Sequence, residues 1–150
     1  MVVFLPGERV LQVGDLFIPG SYPEIDIAPG NGNASDWIDG IKEVVDAVPL
    51  LKAAIPPPKP EAGKAPAGEK TDKTLEEMVV VIPGHGPRSD LQEMKNLLEV
   101  SKKLRAELTR LIAAGASREK FLTFPALVPF RTYENFEAYA TQLFDALSNK

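Results

Sequence analysis

The chain has 150 residues, 44% of them apolar and 25% charged, which suits one soluble domain long enough to bury a real core. Its net charge of −4 disfavours nucleic acid or an anionic membrane surface as the main partner, since both attract basic patches. With no cysteine at all, disulfide scaffolds, thiolate zinc sites and cysteine nucleophiles are excluded, while the compartment stays open.

Met1-Val2-Val3-Phe4-Leu5 is too short and too uncharged for a signal peptide. It reads as a strand already under way, so the natural domain is expected to begin further upstream. Residues 2–5 and 9–13 are β-type runs separated by Pro6-Gly7, which predicts a hairpin with glycine taking the positive φ of the turn. Residues 14–34 hold Gly14, Pro19, Gly20, Pro23, Pro29, Gly30 and Gly32. A loop of that length inside a compact domain is usually functional or disordered.

A helix is predicted over 36–48 with Ser35 as its N-cap, because Trp37, Ile38, Ile41, Val44, Val45 and Val48 recur at helical spacing. Residues 56–74 form a Pro/Ala/Lys-rich stretch without bulky apolar side chains, read as a flexible insertion. Met78-Val79-Val80-Val81-Ile82 is a continuous apolar run, as for a strand covered on both faces. After Pro83-Gly84-His85-Gly86-Pro87, a long helix should start near Asp90, with Ser89 and Gln92 spaced as a capping box and Gly115 as its stop. A short helix from Ser117 to Leu122, a proline-broken loop over 123–131 and an amphipathic helix over 133–147 complete the chain. No internal repeat is present. No apolar run approaches the roughly 20 residues that a membrane helix needs.

The chain has one histidine, which removes His-rich metal sites. A serine triad would need His85 as its base, and no Gly-x-Ser-x-Gly elbow is present. Two constellations remain. Val10-Leu11-Gln12-Val13-Gly14-Asp15 is a strand that delivers a carboxylate at its end, suited to a metal or a water, or else to capping a turn. Val80-Val81-Ile82-Pro83-Gly84-His85-Gly86-Pro87 presents an imidazole between two glycines, suited to a metal, or else to a backbone hydrogen bond near the next helix.

In this order and with these flanks, the segments over residues 2–115 resemble the C-terminal half of the metallo-β-lactamase superfamily. The resemblance rests on the hairpin, the Gly14-Asp15 strand end, the Trp37 helix, the Pro83-Gly84-His85-Gly86-Pro87 strand end and the long helix that follows. It implies an α/β (α+β) fold, half of an αβ/βα sandwich, with a mixed sheet, helices on one face and extra C-terminal helices. Residues 1–115 would be the half-domain, including the 56–74 insertion, and 116–150 a helical tail.

The resemblance further implies that Asp15 and His85 are metal ligands, Asp15 binding or bridging two zinc ions and His85 the last histidine ligand. The implied activity is metal-assisted hydrolysis of an ester, amide, lactam, thioester or phosphoester in a small-molecule substrate. The departure is large. The family's His-x-His-x-Asp-His motif is absent, as is the histidine that normally precedes the Gly-Asp strand. A catalytic zinc takes about three protein ligands, so zinc binding by this chain alone is expected to be weak or absent, and hydrolase activity absent. The competing expectation is a non-catalytic assembly module. It would pair through an uncovered sheet edge and apolar face, as a homodimer or with a missing N-terminal half. A third reading is an unrelated α/β domain in which both motifs match by chance.

Overall fold

A computed structural model describes residues 1–25, 32–50 and 78–149. The expected insertion at 56–74 and part of the expected loop at 14–34 lie outside those residues. The fold is α+β. Strands β1 (Val3–Leu5), β2 (Val10–Gly14), β3 (Val80–Pro83) and β4 (Ser89–Asp90) form one mixed sheet in that order. β1–β2 and β3–β4 are antiparallel, whereas β2–β3 are parallel. Helices α1 (Ala34–Leu50), α2 (Leu91–Ala113) and α3 (Phe136–Ser148) pack against one another, with 3-10 turns at Phe121–Thr123 and Pro125–Phe130.

The predicted hairpin is present, with Leu5 opposite Val10. Its positive φ falls on Arg9 (φ 55) and not on Gly7. The amides of Glu8 and Arg9 bond back to the carbonyls of Leu5 and Pro6, so two successive tight turns fill residues 6–9. The left-handed residue comes last, where it returns the chain to the ladder.

Alternation along the strands gives the sheet two unlike faces. Phe4, Leu11, Val13, Val79 and Val81 point inward; all but Phe4 are buried, and they share one core with the helices. Val3, Leu5, Val10, Gln12, Val80 and Ile82 point outward, and none of them is buried. The expectation that β3 is covered on both faces is therefore corrected. Its outward residues are apolar, yet no described element closes over them.

Helix α1 buries Ile38, Ile41, Val45 and Val48, a stripe at helical spacing. Removing such side chains from water is worth about 1.5–3 kcal/mol each. Its cap is Asn33, whose Oδ1 accepts from the amides of Ser35 (2.9 Å) and Asp36 (3.0 Å). Ser35, the predicted cap, is instead buried inside the helix, and its hydroxyl accepts from Arg105. The entry to α2 is also shifted by one residue. Asp90 caps through Glu93 N (2.8 Å), and Ser89 Oγ bonds the Glu93 carboxylate, so the pair at the right spacing is Asp90 and Glu93, not Ser89 and Gln92. The predicted stop holds: Gly115 (φ 83) donates to Ile112 O and Ala116 to Leu111 O, the paired bonds of a Schellman motif.

The C-terminal segment joins the same core through Phe121, Leu127, Phe136, Tyr139, Leu143 and Phe144. Tyr139 is stacked on Tyr22 at 4.8 Å with the rings 8° apart, and Trp37 meets Tyr139 edge-on at 5.6 Å. Tyr22 OH donates to Phe130 O and Tyr139 OH to Ala34 O. Burial is the main reason that both phenols ionise well above the ordinary value of 10.0, with the neighbouring tyrosine (Tyr133 for Tyr22, Tyr22 for Tyr139) adding to it.

A folded-state pKa raised above the unfolded value gives stability that is complete below the unfolded value and lost as pH rises past it. Urea denaturation should therefore show stability declining steadily above pH of about 10. Tyr22→Phe should make that decline shallower; an unchanged slope would contradict burial of this phenol.

Candidate functional site

Parallel pairing of β2 and β3 brings the carboxyl ends of both strands to the same edge of the sheet, and ligands of α/β sheets characteristically bind outside such ends. The register is Val10–Val80, Leu11–Val81 and Gln12–Ile82, and a bulge then sets Gly14 opposite Pro83. Bulges of this kind re-aim the residues that follow. Gly14 turns with φ 54, and Gly84 N donates to Gly14 O at 2.9 Å. One residue beyond that bond on each strand stand Asp15 and His85.

Their side chains converge, with His85 Nε2 lying 3.5 Å from Asp15 Oδ1. Gly84 is what makes this possible. A Cβ on Gly84 would fall 2.0 Å from Asp15 Oδ1 and 3.0 Å from both Asp15 N and Gly14 C. Gly86 (φ 86) continues the turn beside Pro19, whose Cδ is 3.7 Å from where a side chain would begin. Asp15 is steadied from the other side, since Leu16 O accepts from Trp37 Nε1 at 2.9 Å.

The Asp15 and His85 side chains are 73% and 76% exposed. An ion pair that open to water contributes little to stability, so folding energetics do not account for the arrangement. Two charged or chargeable groups are held together at a strand-end edge by glycines that have no other evident task.

A cavity of about 350 Å³ opens at the pair, lined by Asp15, Ile18, Ser21, Tyr22, Glu24 and His85. Of these, only Asp15 and His85 are identifiable from sequence as candidates. Ile18, Ser21, Tyr22 and Glu24 come from the proline- and glycine-rich loop, in which no residue declares a ligand by type. The available signal was an aromatic residue between Pro19-Gly20 and Pro23, since a large apolar ring in a loop needs something to pack on.

Among the described residues, no group of three or more histidines and carboxylates is placed to hold a metal ion. Among the described residues, the structure thus brings together the two predicted site residues and adds no third donor at metal-binding distance. No family model matches the chain, and neither the curated proteins nor the solved structures contain a match to it.

Gly84→Ala should cost about 1–3 kcal/mol in a denaturant titration, as overpacking does. Adding Asp15→Ala to that variant should recover part of the loss, because the shortest clash is with the carboxylate. Equal stability of wild type and Gly84→Ala would show that the close approach is absent.

Proposed function

We propose that Asp15 and His85 are two donors of a divalent-metal centre, zinc by their chemical type, in a hydrolase of the metallo-β-lactamase kind, and that this chain supplies only part of that centre. The observation that carries the reading is their convergence at 3.5 Å. Oxygen and nitrogen ligands held tetrahedrally at zinc distances are separated by about 3.3 Å. An imidazole and a carboxylate at that spacing are a donor pair that zinc accepts. Their place outside the carboxyl ends of two adjacent parallel strands supports the same reading.

The pair fits two positions of such a centre and does not fit a whole one. A catalytic zinc takes three protein ligands and keeps a position for water. The chain holds no second histidine and no cysteine, so further nitrogen or sulfur donors would have to come from another polypeptide segment. When bound, zinc supplies Lewis acidity and lowers the pKa of water. With two donors, no catalytic step is assigned to this chain, and by itself it is expected not to hydrolyse esters, amides, lactams, thioesters or phosphoesters. What its own residues do is narrower. Asp15 and His85 bring Oδ1 and Nε2 within 3.5 Å of each other, Gly84 leaves room for the Asp15 carboxylate, and the loop from Ile18 to Glu24 forms a wall beside them.

Zinc titration monitored by backbone amide NMR of residues 14–16 and 84–86 should show weak binding to the wild type. Asp15→Ala and His85→Ala should each weaken it on the order of tenfold or more, since even outer-shell substitutions at zinc sites cost that much. Equal weak binding by all three proteins would remove the site.

A second reading, a non-catalytic assembly module, is favoured by one observation. Val3, Leu5, Val10, Val80 and Ile82 form an outward apolar surface on the sheet, with Leu5 48% exposed. Contiguous apolar surface of this sort marks contact sites. Sedimentation should then show concentration-dependent self-association that Ile82→Glu abolishes. A monodisperse monomer at every concentration would count against this reading.

A further inference from the structure

Glu24 is an exposed carboxylate in a segment whose backbone is held on both sides of it. The carbonyls on both sides of it are tied to the C-terminal segment: Asn135 Nδ2 donates to Pro23 O at 3.2 Å, and Gln142 Nε2 donates to Ile25 O at 3.0 Å. Tyr22 N donates to Glu134 O (3.0 Å), and Glu134 N donates to Gly20 O (2.9 Å). Asn135 adopts a left-handed conformation (φ 60) to make this fit, which is uncommon for a residue other than glycine. Surface loops are not ordinarily fixed at this many points, and the fixed segment delivers Glu24 to the cavity of Asp15 and His85. No described residue hydrogen-bonds or pairs with the Glu24 carboxylate.

The polar groups of that cavity are also one-sided. Asp15 and Glu24 offer carboxylate oxygens. Ser21 Oγ donates its proton to Tyr22 O at 2.8 Å, so toward the cavity it can only accept. Tyr22 OH is directed to Phe130 O. Among the described lining residues, the single group able to carry positive charge is His85, and it already faces Asp15. With Asp15 committed to the reactive end, Glu24 is the carboxylate that remains on the wall, and it is complemented by a ligand group that brings donors and positive charge.

We propose that Glu24 is a specificity-determining residue of this site: it accepts from a cationic, N–H-bearing group, an ammonium or a guanidinium, on the ligand that Asp15 and His85 engage. The inference rests on the reading of Asp15 and His85 as the reactive end of the site, and it names the substrate class as cationic rather than anionic. The C-terminal segment is then part of the recognition apparatus, since it fixes the wall that carries Glu24.

The test uses the full chain without metal and two probes of opposite charge, agmatine and glutarate, titrated by amide NMR. Agmatine should shift the resonances of Ser21, Tyr22, Glu24 and His85, and glutarate should not. Glu24→Gln should weaken agmatine on the order of tenfold, as expected for one charge-assisted hydrogen bond. Glu137→Gln, an equal loss of charge in the first turn of α3, should leave the affinity unchanged. Agmatine binding that is indifferent to Glu24→Gln, equal weakening by Glu137→Gln, or glutarate binding as well as agmatine would each overturn the proposal. No metal is present in these titrations, so a failed zinc titration would overturn the metal reading separately.

Discussion

Gly84 N donating to Gly14 O ties the ends of two parallel strands together just before each delivers its polar residue. Everything at the site follows from that backbone contact. It requires the bulge that sets Gly14 opposite Pro83, because without the extra residue the strand end would face the other way. It favours glycine at 84, because a Cβ there would lie 3.0 Å from Asp15 N and Gly14 C and would displace the Asp15 carboxylate. It also leaves Asp15 and His85 exposed, where their mutual attraction is screened and adds little. The sheet and its helices therefore carry the stability, and the strand ends are free to be shaped by another demand.

The helices meet that division of labour. Burial of Ile38, Ile41, Leu97, Leu104, Leu108 and Leu143 builds a core behind the sheet, and the aromatic stack of Tyr22 on Tyr139 extends it under the cavity. The loop carrying Tyr22 is thereby anchored to the hydrophobic interior, although it lies in a proline- and glycine-rich stretch. Its anchorage is what turns an edge with two polar groups into a cavity with a wall.

Much of this was legible in the sequence, for identifiable reasons. Helical stripes such as Ile38, Ile41, Val45 and Val48 were visible because burial imposes a period, and Gly115 because a left-handed C-terminal residue favours glycine. Asp15 and His85 were visible because apolar runs stop abruptly at them. The caps of α1 and α2 were each misplaced, by two residues and by one, since Asn33, Ser35, Ser89 and Asp90 all can cap and only the backbone path decides. The turn at 6–9 was misread because Gly7 is permissive but not obliged to use its freedom, and Arg9 took the left-handed conformation. Glu24 was invisible because its role depends on Asn135 and Gln142, more than a hundred residues away. The outward face of β3 was mistaken because a run of valines looks the same whether one side or both are covered.

The bonds that close the cavity wall span 108 residues from Tyr22 to Phe130 and 117 from Ile25 to Gln142. Contacts so distant along the chain are entropically costly to form early, and helices with local contacts precede them. During synthesis, residues 3–14 and both strand-end motifs leave the ribosome long before residues 130–142 do. The cavity beside Asp15 and His85 therefore cannot exist on a nascent chain. Its completion waits for residues 130–142, so a ligand held by that wall would recognise only chains synthesised past Gln142.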